Sequence, residues 1–151
     1  MKATEYLNTE HGVFLTQLDV LERMLNEKTP PGELRAVTLA IAEAVEKHRD
    51  AEETILYPAI LKEFGEGFPP MRVMEAEHKE IQRLVGEVAS GDGDMRELVG
   101  GFIDVLRQHI AKERAVLFPM AEQRIAETDL ERMAHECVEH HERLRQAGGS
   151  A

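Results

Sequence analysis

Hydrophobic residues recur along most of the chain at alternating intervals of three and four positions, which is the spacing of an amphipathic α-helix. Segments rich in proline, glycine and aspartate interrupt this pattern at residues 29–32, 65–70 and 90–94, and a weaker break with a helix N-cap candidate falls at residues 127–129. Between these breaks, the spacing predicts four long helices and a short fifth one, with expected bounds of about 4–27, 33–63, 70–89, 94–126 and 129–146.

The connections between these helices are short, which favours antiparallel packing of neighbouring helices. We therefore expect an all-α fold, an up-down-up-down four-helix bundle, with the fifth helix packed outside it or at one end. The length of 151 residues and the hydrophobic content of 42% suit one domain with its own core. That domain is expected to cover about residues 1–146, with the bundle at about 4–126 and a flexible tail at 147–151.

Polar side chains interrupt the apolar faces of the four long helices at matching places. The first and third helices each carry one histidine there, and the second and fourth each carry a histidine followed by a glutamate one turn later: His11, His78, His48 with Glu52, and His109 with Glu113. Positions four apart lie on the same helix face, so both members of each pair point into one layer of the core.

The two His/Glu pairs belong to two copies of one motif. The pattern H-x3-E-x3-[IV]-L-[YF]-P runs over His48–Pro58 and again over His109–Pro119. A Glu-His dipeptide precedes each copy, at Glu10–His11 and at Glu77–His78. The chain is thus a duplicated helix pair. Because proline removes a backbone hydrogen bond inside a helix, both motif-bearing helices are expected to bend or end near their prolines.

Six titratable groups in the core need partners. Burying unpaired carboxylates and imidazoles costs several kcal/mol for each group, and cations between them reverse that cost. Neutral imidazole suits iron, zinc or copper, and carboxylates can bridge two neighbouring ions. Each of these residues alone is more often an ordinary core histidine or part of a solvated Glu/His pair. Their joint occurrence in matched halves favours a dinuclear metal site.

Charge and cysteine content restrict the choice of partners. Twenty-nine acidic residues against 18 basic ones give a formal net charge of −11, which disfavours binding to nucleic acid or to an anionic membrane and favours cations. A single cysteine, Cys137, allows no intrachain disulfide. The sequence has neither an apolar secretory segment at its start nor an apolar run long enough to span a bilayer. We therefore expect a cytoplasmic protein without a nucleic-acid or membrane partner.

The predicted fifth helix carries His135, Cys137, His140 and His141, which raises the alternative of a second metal site. The spacing of its apolar residues favours a simpler interpretation, in which Cys137 is a small buried hydrophobic residue and His140 is a contact along the same face. Met74, one turn before His78, is likewise expected to be core packing.

This arrangement of histidines and His/Glu pairs resembles the hemerythrin-like HHE cation-binding family over about residues 5–125. Ferritin-like carboxylate proteins are a poorer match, because their pairs place the glutamate first and the histidine three positions later. The resemblance implies a non-haem di-iron centre bridged by an oxo or hydroxo group, with zinc or manganese as alternative occupants. It also implies the roles of the six residues: His11 and His48 bind one iron, His78 and His109 bind the other, and Glu52 and Glu113 bridge them.

The sequence departs from respiratory hemerythrins at two positions. Those oxygen carriers have a further histidine where this chain has Met74, and an aspartate five positions after the helix-4 histidine, where this chain has Glu113 four positions after it. The resulting site is nearly symmetric and more open, which argues against reversible oxygen carriage. It is more similar to the branch of the family that includes iron-sulfur-repair and nitric-oxide-responsive proteins.

Three functions follow as hypotheses. The first, which we favour, is a module that binds or senses O2, NO or iron. The second is an enzyme that acts on peroxide or nitric oxide or aids iron-sulfur repair, and the third is a bundle stapled by metal. Tyr57 is the one candidate proton donor near the site, but Phe118 holds the equivalent position, so core packing explains both residues. The expected partner is a small diatomic ligand or peroxide, and a homodimer is compatible with the sequence.

Overall fold

The computed structural model describes residues 1–149, and every regular element in that part of the chain is a helix. The elements are α1 (Ala3–Asn26), α2 (Pro31–Ala51), a first π turn (Glu52–Leu56), α3 (Tyr57–Phe64), α4 (Pro69–Ser90), α5 (Met95–Lys112), a second π turn (Glu113–Leu117), α6 (Phe118–Arg124) and α7 (Glu127–Gly149). Each π turn joins its two flanking helices without a break, so residues 1–149 form five helical runs. The predicted all-α class is confirmed.

The long helical runs pack side by side in a ring. Helix α1 contacts α2 and α5, and α4 also contacts α2 and α5, so each helix of the ring has two neighbours. Helices α2 and α5 touch across the middle. Helix α7 packs against α1, α2 and the first π turn. The six titratable residues of the sequence analysis are carried by the ring and its π turns.

Apolar side chains form two separate clusters inside the ring. One cluster includes Phe14, Leu18 and Phe102, and the other includes Leu7, Leu56 and Phe118. Along α1, His11 falls between Leu7 of one cluster and Phe14 of the other. A polar layer is therefore enclosed between two apolar clusters, which lowers the local dielectric constant and strengthens electrostatic interactions within the layer. Within residues 1–149, none of the helices has the length and apolar content that a bilayer span requires.

The two motif prolines do not end their helices. In each case a π turn precedes the proline, and the backbone N–H of Tyr57 bonds to the carbonyl of Glu52, five residues earlier. Phe118 and Glu113 make the same bond in the second copy. The wider turn accommodates the following proline, which has no N–H to donate. Each π turn also begins at a glutamate of the polar layer, and π turns are frequent at such sites.

This extra width changes which residues are buried beyond the glutamates. Regular α-helical spacing predicts that Ile55 and Val116 face the core. Instead, Leu56 and Leu117 are buried, and Val116 is 45% exposed. The prediction was wrong for Val116, and Ile55 packs against the core only in part, because a π turn shifts the buried face by one residue.

The helix boundaries differ from the predicted ones at a few positions. Helix α2 begins at Pro31, since proline at the first helical position loses no bond that the helix would otherwise make. Helix α7 begins at Glu127, two residues before the predicted start at 129, so the N-cap candidates at residues 127–129 lie inside the helix. It continues to Gly149, past the predicted end at 146. The rest of the predicted tail, residues 150–151, lies outside the described residues.

Candidate metal centre

The polar layer brings together all six residues that the sequence singled out. Each of them is at most 4% exposed. The ligating atoms form two groups that share Glu52: His11, His48, Glu52 and Glu113 in one group, and Glu52, His78 and His109 in the other, with the atoms of each group within 4.8 Å of one another. Their role as metal ligands remains a prediction, but the proximity that this role requires is present.

Within the layer, the four imidazoles are arranged as two close pairs. The Nε2 atoms of His11 and His48 lie 3.0 Å apart, and those of His78 and His109 also lie 3.0 Å apart. Two ligand atoms at right angles, each about 2.1 Å from one ion, are separated by about 3.0 Å. The pairing therefore has the spacing of two ligands on a shared ion.

The glutamates reach from one pair to the other. Oε1 of Glu52 lies 2.6 Å from Nε2 of His48, and its Oε2 lies 3.2 Å from Nε2 of His78. Oε1 of Glu113 lies 3.0 Å from Nε2 of His109 and 3.3 Å from Nε2 of His11. Despite these short distances, neither Oε1 atom makes a hydrogen bond with acceptable angles. The oxygen and nitrogen atoms converge on a common space between them rather than on one another.

Outer partners fix the orientation of every imidazole. A carboxylate or amide oxygen faces each Nδ1 atom: Asn8 at 3.1 Å from His11, Glu10 at 3.1 Å from His48, Glu53 at 2.8 Å from His78, and Glu77 at 3.4 Å from His109. These oxygens can only accept, so each neutral imidazole carries its hydrogen on Nδ1 and directs the Nε2 lone pair inward. Two lone pairs 3.0 Å apart repel each other unless a positive charge lies beside them.

Electrostatics favour a positive charge in the layer. Burial opposes the imidazolium form, but the carboxylates of Glu52 and Glu10 outweigh it and raise the pKa of His48 to about 10. The pKa of His109 is also raised to about 10, since Glu113 and Glu77 outweigh burial there. Burial likewise opposes ionised Glu52, yet the imidazoles, chiefly His48, hold its pKa well below the usual value. Protons and metal ions therefore compete for the same nitrogen atoms.

Tyr57 is the residue that the sequence offered as a candidate proton donor, although core packing was sufficient to explain it. Its hydroxyl lies 3.1 Å from Oε2 of Glu52 and 3.0 Å from Oε2 of Glu113, within hydrogen-bond reach of both carboxylates. Burial, followed by the two carboxylates, raises the pKa of Tyr57 well above its ordinary value, so the hydroxyl stays a donor. Phe118 stacks on His11 and offers no such group. The only signal in the sequence is that one motif copy has tyrosine where the other has phenylalanine.

The glutamates of the two Glu-His dipeptides also belong to the site, although spacing along the chain did not show which histidines they contact. Glu10 and Glu77 bond to the histidines of the following helix, His48 and His109, rather than to their own sequence neighbours. Glu53, directly after Glu52, was not singled out by any pattern. The outer partners thus depend on how the helices pack against each other.

The histidines and the cysteine of α7 do not come together as a group of metal-ligand atoms within residues 127–149. His140 bonds to Asp50 at 2.6 Å, and His141 donates from Nε2 to the carbonyl of Lys47 at 3.1 Å. Cys137 is fully buried, as predicted, and burial raises the pKa of its thiol to about 12. Among residues 1–149, His, Cys and carboxylate groups reach metal-ligand proximity only in the layer described above. Met74 is buried in an apolar cluster, which agrees with the packing role predicted for it.

The fold and this layer define a helical protein built around a buried cluster of four histidines and two glutamates. The chain belongs to the hemerythrin family, since the model of the hemerythrin HHE cation binding domain matches residues 2–121. Helix α7 lies beyond that match. The family and the His/Glu cluster fit non-haem iron, because imidazole and carboxylate groups together suit that metal.

Several curated proteins are similar to this chain in sequence. The chain is 36% identical to the iron-sulfur cluster repair proteins YtfE of Yersinia pseudotuberculosis serotype IB and of Yersinia pestis strain Pestoides F, over 67% of this chain and 52% of theirs. The protein of the same name from Yersinia pseudotuberculosis serotype O:3 is 35% identical over the same shares. The chain spans about half the length of the curated relatives it matches. No solved structure matches the chain.

Proposed function

We propose that the layer holds two iron ions, one on His11 and His48 and the other on His78 and His109, with both glutamates and an oxo or hydroxo group as bridges. The observation that carries this proposal is the position of Glu52, whose two carboxylate oxygens lie 2.6 Å and 3.2 Å from imidazoles of different pairs. Zinc and manganese suit the same atoms and are the alternative occupants.

We propose further that the centre binds or senses a small diatomic molecule, O2 or NO. Two imidazoles and shared carboxylates leave coordination positions free on an iron ion, and a bound iron pair supplies the electrons and Lewis acidity for such ligands. A cavity of about 20 Å³ adjoins all four histidines, which is room for one water-sized or diatomic molecule. Phe14, Val45 and Ile81 line it, and these apolar side chains favour an uncharged ligand.

Residues around the centre have separate tasks in this proposal. The outer carboxylates hold the imidazoles with their lone pairs inward. Tyr57 holds a hydrogen on its hydroxyl beside Glu52 and Glu113, where it orients both carboxylates. The two apolar clusters exclude bulk water from the layer.

A second candidate function is participation in iron-sulfur cluster repair. The names of the curated relatives favour it, and it uses the same centre. This chain spans about half the length of those proteins, so an iron-sulfur cluster repair activity of this chain is a proposal. Action on peroxide or nitric oxide as an enzyme is part of this second candidate, and a purely structural metal staple is the third.

Stopped-flow spectroscopy of the reduced, iron-loaded protein separates these functions. An optical change with O2 or NO that reverses when the gas is removed supports binding or sensing. Irreversible oxidation with continued consumption of peroxide or nitric oxide supports an enzyme. No change with any of these molecules contradicts both and leaves the metal staple.

The directions of the helices and the extent of the domain complete the proposal. We propose that the four long helical runs alternate up and down around the ring and form one domain with α7. The connections between them are short, and each helix contacts its neighbours in chain order, with α1 closing against α5. The cytoplasmic location and the homodimer stay predictions.

A further inference from the structure

The cavity beside the four histidines lies on the side of the layer away from the glutamates. Its lining includes Phe14, three positions after His11, and Val45, three positions before His48. In the second half of the chain, the corresponding positions are Ile81 and Leu106, which also line it. The duplication that produced the two imidazole pairs thus also produced the cavity, with matching apolar residues from both halves.

The match between the halves fails at two positions beside His48, Glu46 and Arg49, whose counterparts in the second half are Arg107 and Ile110. Arg49 follows His48 and lines the cavity, whereas the corresponding residue after His109 is Ile110, which is 1% exposed. Glu46 also lines the cavity next to Arg49. One side of the cavity is therefore closed by a buried aliphatic residue, and the other side is closed by the side chain of an arginine and its ion-pair partner.

Arg49 also lies at the surface. It lines a groove of about 340 Å³ together with Glu53, Lys79 and Gln82, on the face where α2 and the first π turn meet α4. The same residue thus belongs to the outer groove and to the inner cavity of about 20 Å³. Its side chain is 15% exposed and stands between solvent and the imidazoles.

Side-chain contacts with two glutamates hold the guanidinium of Arg49 in place. Its guanidinium makes ion pairs with Glu46 and Glu53, whose side chains are 51% and 37% exposed. Because both glutamates are partly exposed, water can replace them as partners of the guanidinium when the side chain swings into the groove. Its long stem then leaves the mouth of the cavity, and no backbone rearrangement is needed.

We propose that small uncharged molecules reach the metal centre from the groove between α2 and α4, and that Arg49 is the gate on this route. This inference rests on the proposed function, because it takes the layer to be the destination of a small ligand. The gate passes a neutral diatomic molecule into an apolar cavity, and the charges at the mouth hold back ions and larger polar molecules. The second half of the chain has no such gate, because Ile110 occupies the corresponding position.

Binding of nitric oxide to the reduced, iron-loaded protein tests the gate. Arg49→Ala opens the mouth permanently, so the rates of NO association and dissociation both rise several-fold while their ratio, the Kd, stays the same. Arg49→Met keeps much of the stem without its ion pairs and gives an intermediate rise. Iron content and the urea midpoint, measured on each variant, verify that the centre and the fold are retained.

Two control variants isolate the position of Arg49. Arg107→Ala removes an arginine that pairs with two acidic residues, Asp19 and Glu22, away from the cavity, and its NO rates match those of the parent. Glu53→Gln weakens the contact of Arg49 with one partner and changes the hydrogen bond to His78. It therefore shows how much of a change in NO binding arises from a perturbed His78.

The outcomes separate the gate from the function on which it rests. Unchanged NO rates in Arg49→Ala overturn the gate and leave the proposed function intact. A change of Kd that Glu53→Gln reproduces also overturns it, since the effect then comes from His78. If the parent protein binds no NO at all, the proposed function for this ligand and the gate fail together.

Discussion

The two imidazole pairs have the same internal geometry and different surroundings. In both pairs the Nε2 atoms are 3.0 Å apart. His78, however, bonds to the carboxylate of Glu53 and stacks on Tyr57, whereas His11 bonds to the amide of Asn8 and stacks on Phe118. The two halves therefore share the arrangement of the imidazole atoms that face the polar layer, and they differ in the residues that contact the outer side of each imidazole.

This divergence makes the two proposed metal positions electronically different. A carboxylate partner increases the basicity of an imidazole more than an amide does. Near His11, Arg114 donates to Oδ1 of Asn8 at 3.2 Å, which places a cation behind that imidazole. Near His78, the carboxylate of Glu53 stands directly behind the ring and also pairs with Arg49. Because both of its imidazoles contact a carboxylate directly, the position on His78 and His109 is expected to favour the more highly charged ion.

The largest expected effect comes from the residue that joins the two pairs. Glu52→Ala removes oxygens that face both pairs, so we expect it to abolish binding of both ions, whereas His48→Ala or His109→Ala weakens one position first and lowers metal content well below that of the parent. Metal analysis after expression with iron measures these differences. His135→Ala, at an exposed position on α7, is the control; equal metal content in all four variants would refute the ligand assignment.

Acid-base behaviour gives the next largest effect. The folded protein raises the pKa of His48 and of His109 from 6.5 to about 10, so without metal it holds more protons than the unfolded chain between these values. This stabilisation is complete below about pH 6.5 and is lost as the pH rises toward about 10, with a slope of up to about 1.4 kcal/mol per pH unit for each group. Chemical denaturation of the metal-free protein at several pH values measures it.

The metal-loaded protein should behave differently over the same range. With metal on Nε2, its histidines keep only the Nδ1 hydrogen and do not titrate, so its stability is expected to be flat between about pH 7 and pH 9. Above that range, ionisation of the Cys137 thiol in the unfolded chain lowers the stability of both forms. On the acidic side of the metal-free profile, the lowered pKa of Glu52 contributes stability that is present above 4.5 and is lost as the pH falls below that value. Parallel pH profiles for the metal-free and metal-loaded forms would contradict the competition between protons and metal.

Exchange of the outer partners tests the difference between the two pairs. Loss of an outer-shell partner typically lowers metal affinity by about 10- to 100-fold, so Glu53→Ala is expected to weaken the ion on His78 and His109 by that factor. Asn8→Ala, its counterpart beside His11, removes only an amide and is expected to have a smaller effect. Titration of the metal-free protein with ferrous iron measures both. Equal losses in the two variants would show that the outer shells are equivalent.

The smallest expected effect concerns Tyr57. Tyr57→Phe gives both motif copies the same aromatic residue, keeps the ring on His78 and removes only the hydroxyl. The free energy of unfolding of the loaded protein should fall by about 1 kcal/mol, the usual net value of one hydrogen bond. Phe118→Leu is a core control that perturbs packing without touching the carboxylates. No stability change in Tyr57→Phe would mean that the hydroxyl contributes nothing to holding Glu52 and Glu113.

The helices and the six inward-facing residues were predictable because both depend on spacing along one chain. Periodicity places His48 and Glu52 on one face, and the second motif copy repeats the placement with His109 and Glu113. The π turns were not predictable, since nothing in the apolar spacing marks a turn one residue wider, and the exposed Val116 was therefore expected in the core.

Features that depend on contacts between helices were beyond the sequence. Glu10 is the neighbour of His11 along the chain but bonds to His48, which only the packing of α1 against α2 determines. The contact of Tyr57 with Glu113, and the place of Arg49 at the mouth of the cavity, have the same origin. In the sequence, Tyr57 and Phe118 hold equivalent motif positions, and nothing there shows that the tyrosine contacts both carboxylates.

The central claim is that two cations lie between the imidazole pairs and the shared glutamates. Anomalous diffraction at the iron absorption edge, on crystals of protein expressed with iron and purified without added metal, tests it directly. The account predicts two peaks in the layer, one beside His11 and His48 and one beside His78 and His109, with Glu52 reaching both. A fully occupied single peak, or peaks only at the surface, would contradict it.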